Sequence, residues 1–163
     1  MEGVSCRRKI GEAREMATWT DVARAMKALP AITSGRDDRE WRVKDKLLAW
    51  ERPLRPADRA ALGASAPSGP ILAVHVPLDA KEMLLTSRPE VYFTTPHFDG
   101  WPAILIRLGA IPAAELREIL RQAWYERAPK RLVAEQVASA SARPTRAPRR
   151  PKATGPVKRR SRR

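Results

Sequence analysis

Arg143, Arg146, Arg149, Arg150, Lys152, Lys158, Arg159, Arg160, Arg162 and Arg163 crowd the stretch from Ala138 to Arg163, which holds no Asp or Glu. Cations at that density suit phosphate. Each phosphate neutralised releases condensed counterions, and the gain accumulates with the number of contacts. Flexible Lys and Arg side chains touch phosphates rather than base edges, so the binding expected of them is largely independent of sequence. The whole 163-residue chain carries a net charge of +14, yet residues 1–137 hold 22 basic and 18 acidic residues and account for only +4 of it. The charge therefore belongs to an arm, and its expected partner is a polyanion, nucleic acid first.

Smaller groups of cations lie upstream. Arg121, Arg127, Lys130 and Arg131 gather where the last helix is expected to end. There they would complement the helix dipole at about 0.3–1 kcal/mol each, which suffices to explain them. A second reading joins them to the tail as one cationic strip. Arg42, Lys44 and Lys46 fall in a hairpin, where a solvated surface is the plainer role and a phosphate contact the sharper one.

Catalytic chemistry has one candidate centre. His97 stands close to Asp99 and Trp101, and an imidazole near a carboxylate can move protons. No paired carboxylates, Ser-centred nucleophile motif, Gly-rich phosphate loop or metal-ligand spacing completes it. His97 is therefore expected to serve its turn, its ring bonded to nearby backbone, and His75 to pack in a sheet. Cys6 is the only cysteine, so neither an internal disulfide nor a zinc site is expected. No enzyme activity and no cofactor are expected. Of the tryptophans, Trp124 sits on an apolar helix face and belongs to the core, and Trp41 and Trp50 should be half-buried in strands. Trp101 stays open between packing its loop and facing a ligand.

The elements that position these residues follow from periodicity. Residues 1–17 read as a flexible extension, with Met16 an alternative start. A helix is predicted from about Thr20 to Leu29, capped by Thr18 or Thr20 and stopped by Pro30. A polar turn over Thr33–Arg39 leads into a hairpin of Glu40–Lys44 and Lys46–Glu51, with Asp45 as the residue tolerant of positive φ. Arg52–Pro70, with four prolines and only a short helix-like patch at Ala57–Leu62, reads as a long surface loop. Ile71–Val76 is a buried strand. Asp79 and Glu82 suggest a capping box opening a short helix that ends before Pro89. Strands follow at Val91–Thr95 and Ala103–Leu108. Leu116, Ile119, Leu120, Ala123 and Trp124 then mark one face of a final helix starting near Pro112. The expected fold is a two-layer α+β domain over residues 18–137 with a mainly antiparallel sheet. Residues 138–163, nearly devoid of large apolar side chains and broken by four prolines, are expected to be disordered. No apolar run is long enough to span a bilayer or serve as a secretion signal, so a cytoplasmic location without membrane contact is expected.

An ordered set of segments carries a family likeness: Leu29-Pro30, the run Trp41-Arg42-Val43-Lys44-Asp45-Lys46-Leu47-Leu48-Ala49, and Thr94-Thr95-Pro96-His97-Phe98-Asp99-Gly100-Trp101-Pro102. It closes with Arg107-Leu108, Glu115-Leu116, Ala123-Trp124 and Ala128-Pro129-Lys130. Across most of Thr18–Gln136 the chain resembles the MmcQ/YjbR-like family. The resemblance implies an α+β fold ordered helix, three strands, helix, two strands, helix. It also implies DNA binding through a proposed double-wing surface, without enzymatic activity. The chain departs from the family pattern at Asp45, where Gly is common before Lys, in the length of Arg52–Pro70 and in its basic tail.

Together these readings lead to a non-enzymatic DNA-associated protein, its tail supplying affinity and its folded part placement. The alternatives are a protein-interaction module tethered to RNA or ribosomes by the tail and, more weakly, a small-ligand or enzymatic role around His97 and Trp101.

Overall fold

The computed structural model describes residues 15–35 and 38–141. Most of the N-terminal extension, with Cys6, and all ten tail cations lie outside the described residues.

Helix α1 spans Trp19–Lys27. The Asp21 carboxylate accepts the Thr18 backbone N–H at 3.0 Å while the Asp21 N–H faces the Thr18 hydroxyl oxygen at 3.4 Å, a reciprocal cap. The helix buries Val22, Ala25 and Met26. The chain then forms a meander of β1 (Ile32–Ser34), β2 (Glu40–Val43) and β3 (Lys46–Glu51). Strand β1 occupies residues expected to be turn; its pairing with β2 overrides its polar composition. In the β2–β3 turn the residue with positive φ is Lys44, at 54°, rather than Asp45. The Lys44 N–H points to the Ala31 carbonyl at 3.4 Å, which orients the turn from outside the hairpin.

The stretch expected to be a surface loop instead folds against the sheet. Helix α2 covers Pro56–Leu62, opened by Pro56, where a missing N–H costs nothing, and closed by Gly63 at φ 55°. A 3-10 turn at Gly63–Ser65 follows. Strand β4 (Ile71–His75), helix α3 (Leu78–Ser87), and strands β5 (Tyr92–Phe93) and β6 (Ala103–Arg107) complete the sheet. Asp79 does not cap α3. The Lys81 N–H already bonds the Pro77 carbonyl at 2.9 Å, so the helix has begun before Asp79 is reached. Helix α4 covers Ala113–Arg127 and buries Leu116, Leu120, Ala123 and Trp124. Pro129 separates it from a further helix, α5 (Lys130–Ser141), which runs four residues beyond the expected tail boundary. Ala138-Ser139-Ala140-Ser141 has nothing large to bury, but alanine's helix propensity favours continuation.

All six strands pair antiparallel in the order β1-β2-β3-β4-β6-β5. The α+β class and antiparallel sheet are those expected, with β1, α2 and α5 added. On one face α1 and α4 close a core that includes Trp41, Leu72, Val74, Ile104, Ile106 and Trp124. The other face buries Ile71, Ala73, Leu105, Phe93, Phe98 and Leu54 in a smaller cluster. Among the described residues no helix is long and apolar enough to cross a membrane.

An ion pair anchors the cover of the second face. Arg52 donates to the Asp58 carboxylate at 3.1 Å, and the Arg55 backbone N–H donates to the same oxygen at 3.0 Å. Burial works against ionising Asp58, but the Arg55 N–H and the Arg52 charge outweigh it and hold the carboxyl below its ordinary value. Removing one partner of a buried pair strands the other's charge. Asp58→Ala should therefore lower unfolding free energy by roughly 3 kcal/mol or more in urea titration, whereas Asp21→Ala at the exposed cap of α1 should cost only about 1 kcal/mol.

Candidate functional site

Two regions hold the residues singled out by sequence. The first is a cleft of about 600 Å³ on the second face, lined by Leu47, Trp50, Phe98 and Trp101 together with Arg52–Arg55 and His97. A bulge in β3 shapes its floor. Trp41 pairs with Ala49 but Arg42 pairs with Leu47, leaving Leu48 as the extra residue. Leu48 and Ala49 both join the first core, so Leu47 and Trp50, three positions apart, both line the cleft. Strict alternation cannot produce that placement, and the sequence offered no signal for it.

The cleft's outer wall is the loop Thr95–Trp101, whose first part is a 3-10 turn at Pro96–Phe98. Lys81, a residue the sequence analysis passed over, holds this loop from behind. Its ammonium donates to the Phe98 carbonyl at 2.6 Å and to the Trp101 carbonyl at 3.1 Å. Lys81 is only 5% exposed. Burial lowers its pKa, opposed by the Asp99 charge. Gly100, at φ 69°, gives the loop a turn that L side chains resist. Trp101 emerges 64% exposed, so its ring does not pack the loop. Trp50 is half-buried, its ring 6.3 Å from that of Phe98.

His97 is exposed and stands edge-on to Phe98 at 5.1 Å; among the described residues its ring makes none of the hydrogen bonds expected of it. The Asp58 carboxylate, whose charge His97 also feels, is already engaged by Arg52 and Arg55, while Asp99 lies exposed two residues further along the same loop. His75 packs in the sheet as expected, but Nδ1 is buried without a partner. Trp124 is fully buried and donates to the Pro30 carbonyl at 2.9 Å, and Trp41 is more deeply buried than expected, stacked at 6.5 Å on Trp19.

The second region is the end of the molecule where the β2–β3 turn meets the α4–α5 junction. The Arg127 guanidinium donates to the Leu47 carbonyl at 3.2 and 3.3 Å, fastening α4 to β3. Arg127 is thus a brace, its pKa lowered by burial. Beside it Lys46 and Lys130 line one shallow groove. Arg42 is paired with Glu40 at 2.8 Å and Arg131 with Glu135 at 2.9 Å. Lys44, Lys46 and Lys130 are exposed and form no ion pair among the described residues. Lys130 and Arg131 do not end a helix; they begin one. Cations at a helix N-terminus oppose its dipole. The stabilising role expected of them is therefore overturned.

The YjbR family model matches residues 27–126, which include both the hairpin and the Thr95–Trp101 loop and stop short of α5. Uncharacterized proteins Rv2570 and MT2646 of two Mycobacterium tuberculosis strains, and Mb2600 of Mycobacterium bovis, are each 52% identical over 122 residues. The matched region covers 72% of this chain and 94% of each relative. A crystal structure of Deinococcus radiodurans protein DR2400, with a DUF419 domain, is similar at 19% identity and a TM-score of 0.47, over 68% of this chain and 78% of that one.

His75 makes stability depend on pH. Desolvation first, and then the Arg127 charge, push its imidazole down to about 4. The unfolded chain takes up this proton from about pH 6.5 downwards and the folded chain only near 4, so protons favour unfolding between those values. Unfolding free energy should fall by roughly 1–2 kcal/mol between pH 6.5 and 5, with His75→Gln flattening that slope in denaturant titrations at each pH.

Proposed function

This chain belongs to the YjbR family, and from that premise we propose a DNA-associated protein without enzymatic activity, whose tail supplies affinity and whose folded part supplies placement. The observation that carries this reading is the segregation of charge: ten cations and no acid in residues 138–163, against +4 over residues 1–137. The cationic end of the fold supports it. Lys130 stands where it opposes the dipole of α5 and forms no ion pair among the described residues, so helix stability does not account for it. Lys130 lines one groove with Lys46 of the hairpin, and the helix it opens precedes the tail in the chain. Phosphate contacts along this strip would be sequence-independent and salt-sensitive. A non-catalytic role is supported by the commitment of Asp58, a carboxylate within electrostatic reach of His97, to Arg52 and Arg55. A cytoplasmic, nucleoid-associated location follows from the same reading.

A second reading, a protein-interaction module tethered to RNA or ribosomes, draws on the groove between α3 and α4, where Met83 is 66% exposed. One experiment separates the two. Duplex DNA binding by the full chain should weaken steeply with salt, with a log–log slope of about −4 to −5 if roughly half the tail cations engage. A version ending at Ser141 should lose most of that slope and affinity in mobility shifts. Equal binding by the shortened chain would overturn the tail-driven account, and much tighter binding to structured RNA than to duplex DNA would favour the tethered module.

A further inference from the structure

The cleft between Trp50 and Trp101 belongs to no step described so far, and its build is specific. Trp101 offers one of the largest side chains to solvent, 64% exposed. The loop presenting it is nonetheless stiffened by a buried ammonium spent on the Phe98 and Trp101 carbonyls. Burying Lys81 for this purpose is costly, and a loop needing only to connect β5 to β6 could be closed by polar backbone contacts alone. The floor is aromatic and apolar, made by Leu47, Trp50 and Phe98. Among the described residues its rim carries one unpaired cation. Arg52 is held by Asp58 and lies over the Phe98 ring at 5.4 Å, while Arg55 is exposed with no ion pair among the described residues. No carboxylate is among the lining residues.

A site with an exposed indole, an apolar floor and an unpaired guanidinium selects a planar ring bearing an anion. The volume of about 600 Å³ is of the size that takes a nucleotide. Leu47 connects the cleft to the cationic end. It lines the cleft, follows Lys46 in the chain and is held through its carbonyl by Arg127. Lys46 and Leu47, adjacent on β3, face opposite sides of the sheet, so the groove and the cleft are reached from different faces of that one strand. Bases within an intact duplex present edges rather than faces, so a stacking site of this kind is reached by an unpaired base.

We propose that the Trp50–Trp101 cleft binds an unpaired base of single-stranded nucleic acid, stacked on Trp101 with a flanking phosphate on Arg55. This rests on the nucleic-acid reading above and adds strand selectivity to it: the tail holds any phosphate backbone, and the cleft favours strands whose bases are free.

The full chain, Trp101→Ala and Arg55→Gln should be titrated with a short oligo(dT) strand and with a duplex of equal length at the same salt. Trp101→Ala should weaken oligo(dT) binding at least about fivefold, the low end of what stacking one base is worth, and leave duplex binding unchanged. Trp101→Phe should restore most of the loss, and Arg55→Gln should weaken oligo(dT) selectively. Trp101 is exposed, so thermal unfolding of its variants should match the parent, and circular dichroism checks this. Unaltered oligo(dT) affinity in Trp101→Ala, or equal losses on both probes, overturns the cleft while duplex binding by the parent chain upholds the tail-driven function. Failure of the parent chain to bind either probe overturns both.

Discussion

Strands β4 and β6 lie inside the sheet with apolar side chains on both faces, and every other element answers to that constraint. A strand whose alternate residues are all apolar has no side to give to water, so it must be covered from two directions. Helices α1 and α4 cover one face, locked together where Trp124 reaches the Pro30 carbonyl. On the other face no long helix is available. The proline-rich stretch after β3 and the loop after β5 do that work with Leu54 and Phe98. Each large side chain so buried contributes about 1.5–3 kcal/mol, which explains why a segment of poor helix and strand propensity is nonetheless ordered.

Covering a face with irregular segments leaves their backbone polar groups to be satisfied, and the second face is where the buried charges collect. Asp58 accepts a backbone N–H and a guanidinium, and Lys81 supplies donors to two loop carbonyls. Such groups are costly to bury, and what they return is fixed geometry. The rigid Thr95–Trp101 loop and the exposed indole at its end follow from that arrangement. Thin cover thus leaves room for the cleft, which is shaped further by the β3 bulge that turns Leu47 and Trp50 the same way.

Electrostatics divides the molecule differently from packing. Most cations of the fold are spent on local partners: Arg52 on Asp58, Arg42 on Glu40, Arg131 on Glu135, and Arg127 on a carbonyl. The lysines at the hairpin turn and at the start of α5 are left over among the described residues. At physiological salt, charges more than about 8–10 Å apart are screened from one another, so clustering rather than net charge decides where a polyanion is held.

The amino-acid sequence alone determined the features that depend on composition and short-range periodicity. These are the concentration of charge beyond Ala138, the helices around Met26 and Leu120, the hairpin after Arg39, the buried strands at Ile71 and Ala103, and the placement of Trp124 in the core. Features set by distant pairing were not legible. Strand β1 exists because β2 lies beside it, and the short helix-like patch at Ala57–Leu62 becomes α2 because β4 and β6 expose a second apolar face. The break at Pro129 reverses the meaning of Lys130 and Arg131, because the same charge stabilises one helix end and opposes the other. Lys81 carried no signal at all: a lysine in a helix reads as solvated, and only the fold brings the Phe98 and Trp101 carbonyls within reach of its ammonium. Local chemistry thus specified which residues could meet phosphate. Among the described residues the tertiary structure decided which of them are left unpaired, because burial and tertiary partners are properties of neighbours distant in the chain.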